Sequence, residues 1–74
     1  MVSFNREQTL TMGEAWGGPG YRVTSRGFYE SADGLRQFRP PSYKPDLGKT
    51  QANFEQRLAN TTKWNANGHV DVIE

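Results

Sequence analysis

Three prolines within six residues, Pro40, Pro41 and Pro45, constrain this chain more than any other feature. Each lacks a backbone N–H and fixes φ, so a helix or a central strand is excluded across PPSYKPDLGK. The stretch SADGLRQFRPPSYKP nevertheless concentrates cations and rings: Arg36, Arg39 and Lys44 with Phe38 and Tyr43. It is expected to run as a turn, a strand and then a stiff irregular loop. The prolines would hold Tyr43 and Lys44 out from the sheet at low entropic cost, where a base and a phosphate could reach them.

The flanking segments read as β. YRVTS and GFYES are short, aromatic and β-branched, with Arg26-Gly27 as a turn between them. Asp33-Gly34 suits a type I′ hairpin connection or a bulged variant of it. In LRQFR, period two places Arg36 and Phe38 on one face and Leu35, Gln37 and Arg39 on the other. QANFEQRL fits a helix or a strand. Asn67-Gly68 predicts a closing hairpin between TKWNA and HVDVI, with Val70 and Val72 on one face and His69, Asp71 and Ile73 on the other. Upstream, residues 3–12 allow one or two helical turns, because Asn5 and Gln8 have capping-box spacing behind Phe4. GEAWGGPG, residues 13–20, is expected to be a loop, with Trp16 a plug over the core. The predicted fold is mainly β, with α+β as its variant: a small, twisted antiparallel sheet with a short N-terminal helix.

At 74 residues the chain is expected to be one domain, 1–74. Such a domain buries only about 60% of its unfolded surface, so its core is marginal. Without cysteine there is no disulfide and no thiolate zinc site, and the lone His69 rules out a multi-histidine site. No metal and no cofactor are therefore expected. No apolar run approaches about 18 residues, so no membrane span is predicted. MVSFNREQTL lacks the cationic start and apolar stretch of a signal peptide. Hydrophobic content is low at 34%, but 12% aromatic residues argue for a packed domain over disorder. The alternative for a domain this small without staples is stability gained from a partner. Charge is uneven. Residues 22–49 hold six basic residues against three acidic ones, while each flank has one more acid than base. That is a weak nucleic-acid footprint, and from charge alone an ordinary solvated face is the better account of it.

Familiar catalytic signatures are absent. GGPG has neither the lysine nor the following helix of a phosphate loop, and no GxSxG or cysteine nucleophile occurs. Metal-dependent DNA cleavage is disfavoured by the lack of DxD or HNH-type spacing. What remains is a set of acid–base and cationic groups: Asp33, Glu55, His69, Arg36, Arg39, Lys44, Tyr29 and Tyr43. This set suits RNA cleavage by the substrate's own 2′-hydroxyl, which needs a base, an acid and cations around the phosphorus. His69 with either Asp33 or Glu55 would supply acid and base. Arg36, Arg39 and Lys44 would hold phosphate, and Tyr43 would stack on a base. Each also has a plain structural role: His69 and Glu55 as polar strand residues, Asp33 as a turn cap, Arg36 and Arg39 as guards of an edge strand.

The run Tyr29–Pro45, followed by Gln51-Ala52-Asn53-Phe54-Glu55 and later by Asn67-Gly68-His69, resembles C-terminal toxin domains of bacterial polymorphic toxins. These are carried by contact-dependent growth inhibition proteins, filamentous haemagglutinins and related repeat-rich exoproteins. The pattern S-x-D-G-L-R-Q-F-R, then N-F-E, then N-G-H covers residues 20–72. The resemblance implies a nuclease, delivered from a larger secreted or cell-surface protein, acting in the cytoplasm of target bacteria and neutralised by a cognate immunity protein. One group is similar to the ribosome-cleaving colicins, which cut 16S ribosomal RNA from a twisted antiparallel sheet with an Asp/His/Glu set and a cation. Others cut transfer RNA. Here the set would come from Asp33, Glu55 and His69 with Arg36, Arg39 or Lys44. Arg36 and Phe38 would meet the substrate beside His69, provided that their strands are neighbours. The alternative is a non-catalytic module whose basic, aromatic loop docks a protein, with Arg36, Tyr43 and Lys44 on one flat rim.

Overall fold

Asn5 has two roles at the start of the chain. It ends strand β1 (Ser3–Asn5) and caps helix α1 (Arg6–Gly17). Its Oδ1 accepts from the Gln8 N–H at 2.7 Å, and Gln8 Oε1 accepts from the Asn5 N–H at 3.0 Å. The predicted capping box is therefore present. These positions come from a computed structural model, which describes residues 3–73; Met1, Val2 and Glu74 lie outside the described residues.

The helix does not stop where the glycines predicted. It runs through Gly13 to Gly17, and the loop is confined to residues 18–21. Thr9, Gly13 and Gly17 are its buried residues, one turn apart each. A Cβ at Gly13 would overlap the Phe38 ring, and one at Gly17 would crowd Tyr21. Glycine costs a helix about 1 kcal/mol against alanine. Here close approach of the helix to an aromatic sheet face outweighs that cost.

Five more strands follow: β2 (Arg22–Val23), β3 (Tyr29–Glu30), β4 (Arg36–Lys44), β5 (Lys49–Gln56) and β6 (Ala66–Ile73). The sheet order is β1-β6-β5-β4-β3-β2. Every neighbouring pair is antiparallel except β1 with β6, which is parallel. The fold is mainly β with one short N-terminal helix, as expected, and the sheet does not close into a barrel.

Three local expectations need correction. The prolines do not end β4. Its pairing with β5 passes from Arg39↔Asn53 to Ser42↔Gln51, so a bulge takes up the extra residue around Pro40 and Pro41. On its other side β4 pairs with β3 only at Gln37 and Phe38. Past Arg39 that edge is open, and a missing N–H there breaks no ladder. Tyr43 and Lys44 thus belong to the strand, opposite Thr50 and Lys49, and are not held out from the sheet. Next, Asn67-Gly68 is not a turn. Gly68 has no positive φ and sits mid-strand opposite Phe54, so β6 is continuous and pairs with β5 rather than folding on TKWNA. Residues 57–65 make that connection. Finally, Asp33 has no positive φ, so a type I′ turn is excluded; only Gly34 is left-handed there, and its N–H donates to the Ser31 carbonyl. The ambiguous QANFEQRL resolves as strand for most of its length.

The core lies between helix and sheet. Phe38, Ala52 and Val72 are its buried centre, with Leu10, Trp16, Tyr29, Phe54 and Val70 packed around them. Aromatic rings run across the sheet in sequence: Tyr21 to Tyr29 at 5.2 Å, Tyr29 to Phe38 at 5.2 Å, Phe38 to Phe54 at 5.0 Å and Phe54 to Trp16 at 5.9 Å. Trp16 plugs the core as expected, and its Nε1–H donates to the Glu55 carbonyl. No helix among the described residues is long and apolar enough to cross a membrane.

Candidate active site

Directly paired residues on neighbouring strands point to the same side of a sheet. Pairing therefore defines the face that the helix leaves uncovered. Arg39↔Asn53 and Asn53↔His69 place these three side chains in one row across β4, β5 and β6. Gln37↔Glu55 and Glu55↔Asn67 form the next row on the same face. Glu55 and His69 are diagonal neighbours, a relation that sets backbones about 7–8 Å apart. Glu55 and Arg39 are diagonal in the same way across β4 and β5.

Glu55 is the focus of these rows. Its carboxylate is 8% exposed although no helix covers this face. Gln37 Nε2 donates to Oε1 at 3.0 Å, and Arg39 Nε lies 3.3 Å from the same oxygen. Among the described residues no hydrogen bond to Oε2 is made, so one oxygen keeps its lone pairs. The Arg39 Nε is buried without a well-aligned hydrogen bond. Asn53, 2% exposed, lies between Arg39 and His69 and reaches only Asn67 Oδ1, at a long 3.4 Å. His69 itself is exposed. A buried carboxylate, a loosely held guanidinium and an accessible imidazole thus share about two pleats of sheet. Buried polar groups normally have their hydrogen bonds completed within the protein; here part of that capacity is unspent.

Lys44 shares this face, because it pairs with Lys49, which bonds Asp71. It sits four positions along β5 from the Asn53 row, about 13 Å away. Near it Gln51 Nε2 donates to Asp71 Oδ1 at 2.9 Å and Lys49 Nζ to Oδ2 at 3.4 Å. The Gln51 amide, joined by Lys49, holds the Asp71 carboxyl below the ordinary aspartate range, with partial burial working the other way.

The remaining predicted residues lie elsewhere. Arg36 is on the helix face, its guanidinium 5.9 Å from the Trp16 ring. It cannot stand beside His69: β5 separates their strands, and the two side chains take opposite faces. Tyr43, paired with Thr50, is also on the helix side and 63% exposed. Asp33 is a turn residue. Its Oδ1 accepts from Ser31 Oγ at 2.6 Å and from the Leu35 N–H at 3.0 Å. The Ser31 hydroxyl, then the Leu35 amide, keep its carboxyl below the usual range. A cleft of about 330 Å³ lies beside it, lined by Asp33, Leu35, Arg36, Gln56, Arg57 and neighbours. Its second cation, Arg57, donates to the Gly34 and Thr61 carbonyls and lies over the Trp64 ring, whereas Arg36, like Arg39, has a buried Nε without a hydrogen-bond partner among the described residues.

Asn53 and Gln37 were not singled out in the sequence. Period two in LRQFR did put Gln37 on the Arg39 face; what was missing was the partner strand. No three His, Cys, Asp or Glu side chains gather as a metal site among the described residues. Compared with protein-family models, curated proteins and solved structures, the chain matches none.

Proposed function

We propose that the uncovered sheet face cleaves RNA through the substrate's own 2′-hydroxyl, as the toxin domain of a bacterial competition system. The observation that carries this is Glu55: a nearly buried carboxylate with one oxygen unspent, bridged by Arg39 and diagonal to an exposed histidine. Glu55 takes the proton of the 2′-hydroxyl. The 2′-oxygen attacks phosphorus, the bond from phosphorus to the 5′-oxygen breaks, and His69 protonates the departing oxygen. The products are a 2′,3′-cyclic phosphate and a 5′-hydroxyl. Arg39 balances charge on the five-coordinate phosphorus, an interaction strongest where water is excluded. Lys44 serves a phosphate further along the strand. Asp33, Arg36 and Tyr43 have no part in the chemistry. Of the possible substrates, 16S ribosomal RNA is the first target to test and transfer RNA the second. The domain would arrive as part of a larger secreted or surface protein, act in the target cytoplasm, and be neutralised by an immunity protein covering this face.

The alternative, a docking module, has less support. Arg36, Tyr43 and Lys44 do not form one rim, since Lys44 faces away from the other two. The test is to induce the domain in bacteria and to incubate the purified domain with total RNA. Discrete fragments of ribosomal or transfer RNA ending in cyclic phosphate are expected. Growth arrest with both RNA classes intact would end the proposal.

A further inference from the structure

Phe28 is an aromatic residue on the wrong side for packing. Its neighbour Tyr29 points into the core, between Tyr21 and Phe38. Alternation then turns Phe28 to the uncovered face, with Glu30. It does not belong to the core cluster. The Thr24 N–H donates to its carbonyl and its own N–H donates to Thr24 Oγ1, so its backbone is fixed at the mouth of a tight hairpin. Two guanidiniums attend the ring: Arg26 at 5.2 Å from the centroid and Arg39 at 5.8 Å. One step beyond the Tyr29↔Phe38 pair, Phe28 falls opposite Arg39. Extended by this one residue just before β3, the row reads Phe28, then Arg39, Asn53 and His69 on β4, β5 and β6. Three strand spacings, about 14 Å, separate its ends.

We infer that Phe28 is the base-stacking platform of this face, taking the unpaired base of a nucleotide that flanks the phosphate held by Arg39. The inference rests on the ribonuclease reading for the identity of that phosphate. The ring is half-buried with both guanidiniums over it, so a nucleobase would stack there by displacing the exposed Arg26 side chain, while Arg39 stays for the phosphate. A base in a duplex has its faces already covered. The substrate at this position is thus single-stranded: a loop, a bulge or a displaced end. Arg26, at the hairpin tip, would follow the backbone on the far side of the same base.

Binding to a non-cleavable ligand separates this inference from catalysis. The probe is a set of short single-stranded 2′-deoxy oligonucleotides with a fluorescent end, each carrying one abasic residue at a successive position. For the native chain, one abasic position is expected to weaken binding about 5- to 100-fold. Phe28→Ala should weaken binding to the intact oligonucleotide by a similar factor and abolish the abasic penalty. Phe28→Tyr should restore both. Phe28→Leu keeps apolar bulk without a π face; it should behave like alanine and serves if the alanine variant does not fold. An abasic penalty unchanged in both Phe28→Ala and Phe28→Leu overturns the inference, as does a native chain with no affinity for any of the oligonucleotides. A Phe28-dependent penalty in a domain that leaves cellular RNA intact would retain the platform and remove the ribonuclease.

Discussion

The two faces of this sheet are built by the same residues of chain in alternation, yet they obey different rules. On the helix side Phe38, Ala52 and Val72 are packed out of water, and glycine is used at Gly13 and Gly17 so that the helix can approach. On the other side Asn53 and Glu55 are just as hidden, but they are polar and no helix lies over them. Apolar burial stabilises a fold in proportion to area. Burial of an amide and a carboxylate costs free energy unless hydrogen bonds compensate. The first face therefore accounts for the fold. The second does not account for the fold in that way, and the proposed ribonuclease activity gives its incompletely bonded groups a use.

The largest expected effect is on the open face. Glu55→Gln keeps the shape and the Gln37 contact but removes the proton acceptor. It should lower kcat/KM for an RNA oligonucleotide by about 10²- to 10⁴-fold. His69→Ala should do the same while leaving thermal stability unchanged, because the imidazole is exposed. Equal cleavage by His69→Ala would remove that residue from the site. A variant pair that loses stability together with activity would erase the distinction between the faces.

A smaller, opposite effect is expected on the helix face. Gly13→Ala adds one methyl group where the Phe38 ring already lies. Alanine is the better helix former, so propensity alone predicts a gain. Overpacking predicts a loss of about 1–3 kcal/mol, and here it should prevail. Urea unfolding measures the change; per folded molecule, RNA cleavage should be unaffected. A stabilised Gly13→Ala would mean that the helix does not press on the ring.

These same contacts explain how much was legible in advance. The capping box at Asn5 and Gln8 is local chemistry, and it could be read. So could the alternation that separates Phe38 from Arg39 and Val70 from His69. Gly13 reads as loop because its reason is the Phe38 ring, 25 residues away in sequence; Gly17 reads as loop because nothing in GGPG announces its close contact with Tyr21. Asn67-Gly68 was misread as a turn because pairing with Phe54 and Glu55 holds it extended. Pro40 and Pro41 looked like a strand end, though a bulge and an open edge accommodate both. For the site, Glu55, His69 and Arg39 were named from their chemistry. Their assembly was not readable, since it depends on β5 lying between β4 and β6. Arg36 and Asp33 carried the same chemical promise and were directed elsewhere by the parity of the strand and by the turn.

The smallest effect tests whether the open face contributes to folding as well. The Asp71 carboxyl is held below its ordinary range chiefly by the Gln51 amide, with help from Lys49 and against partial burial. A carboxyl depressed in the folded state stabilises it at pH values above the unfolded value, near 4. That contribution is lost as pH falls through the lower, folded value. Asp71→Asn should accordingly be less stable than the native chain at neutral pH, and the gap should close below about pH 4. Asp33, depressed by Ser31 and Leu35, adds a dependence of the same sign, so the single variant keeps some acid sensitivity and Asp33→Asn/Asp71→Asn keeps less. Urea midpoints between pH 7 and pH 2 would show the convergence. A gap that stays constant to pH 2 would mean that Asp71 acts through shape rather than charge.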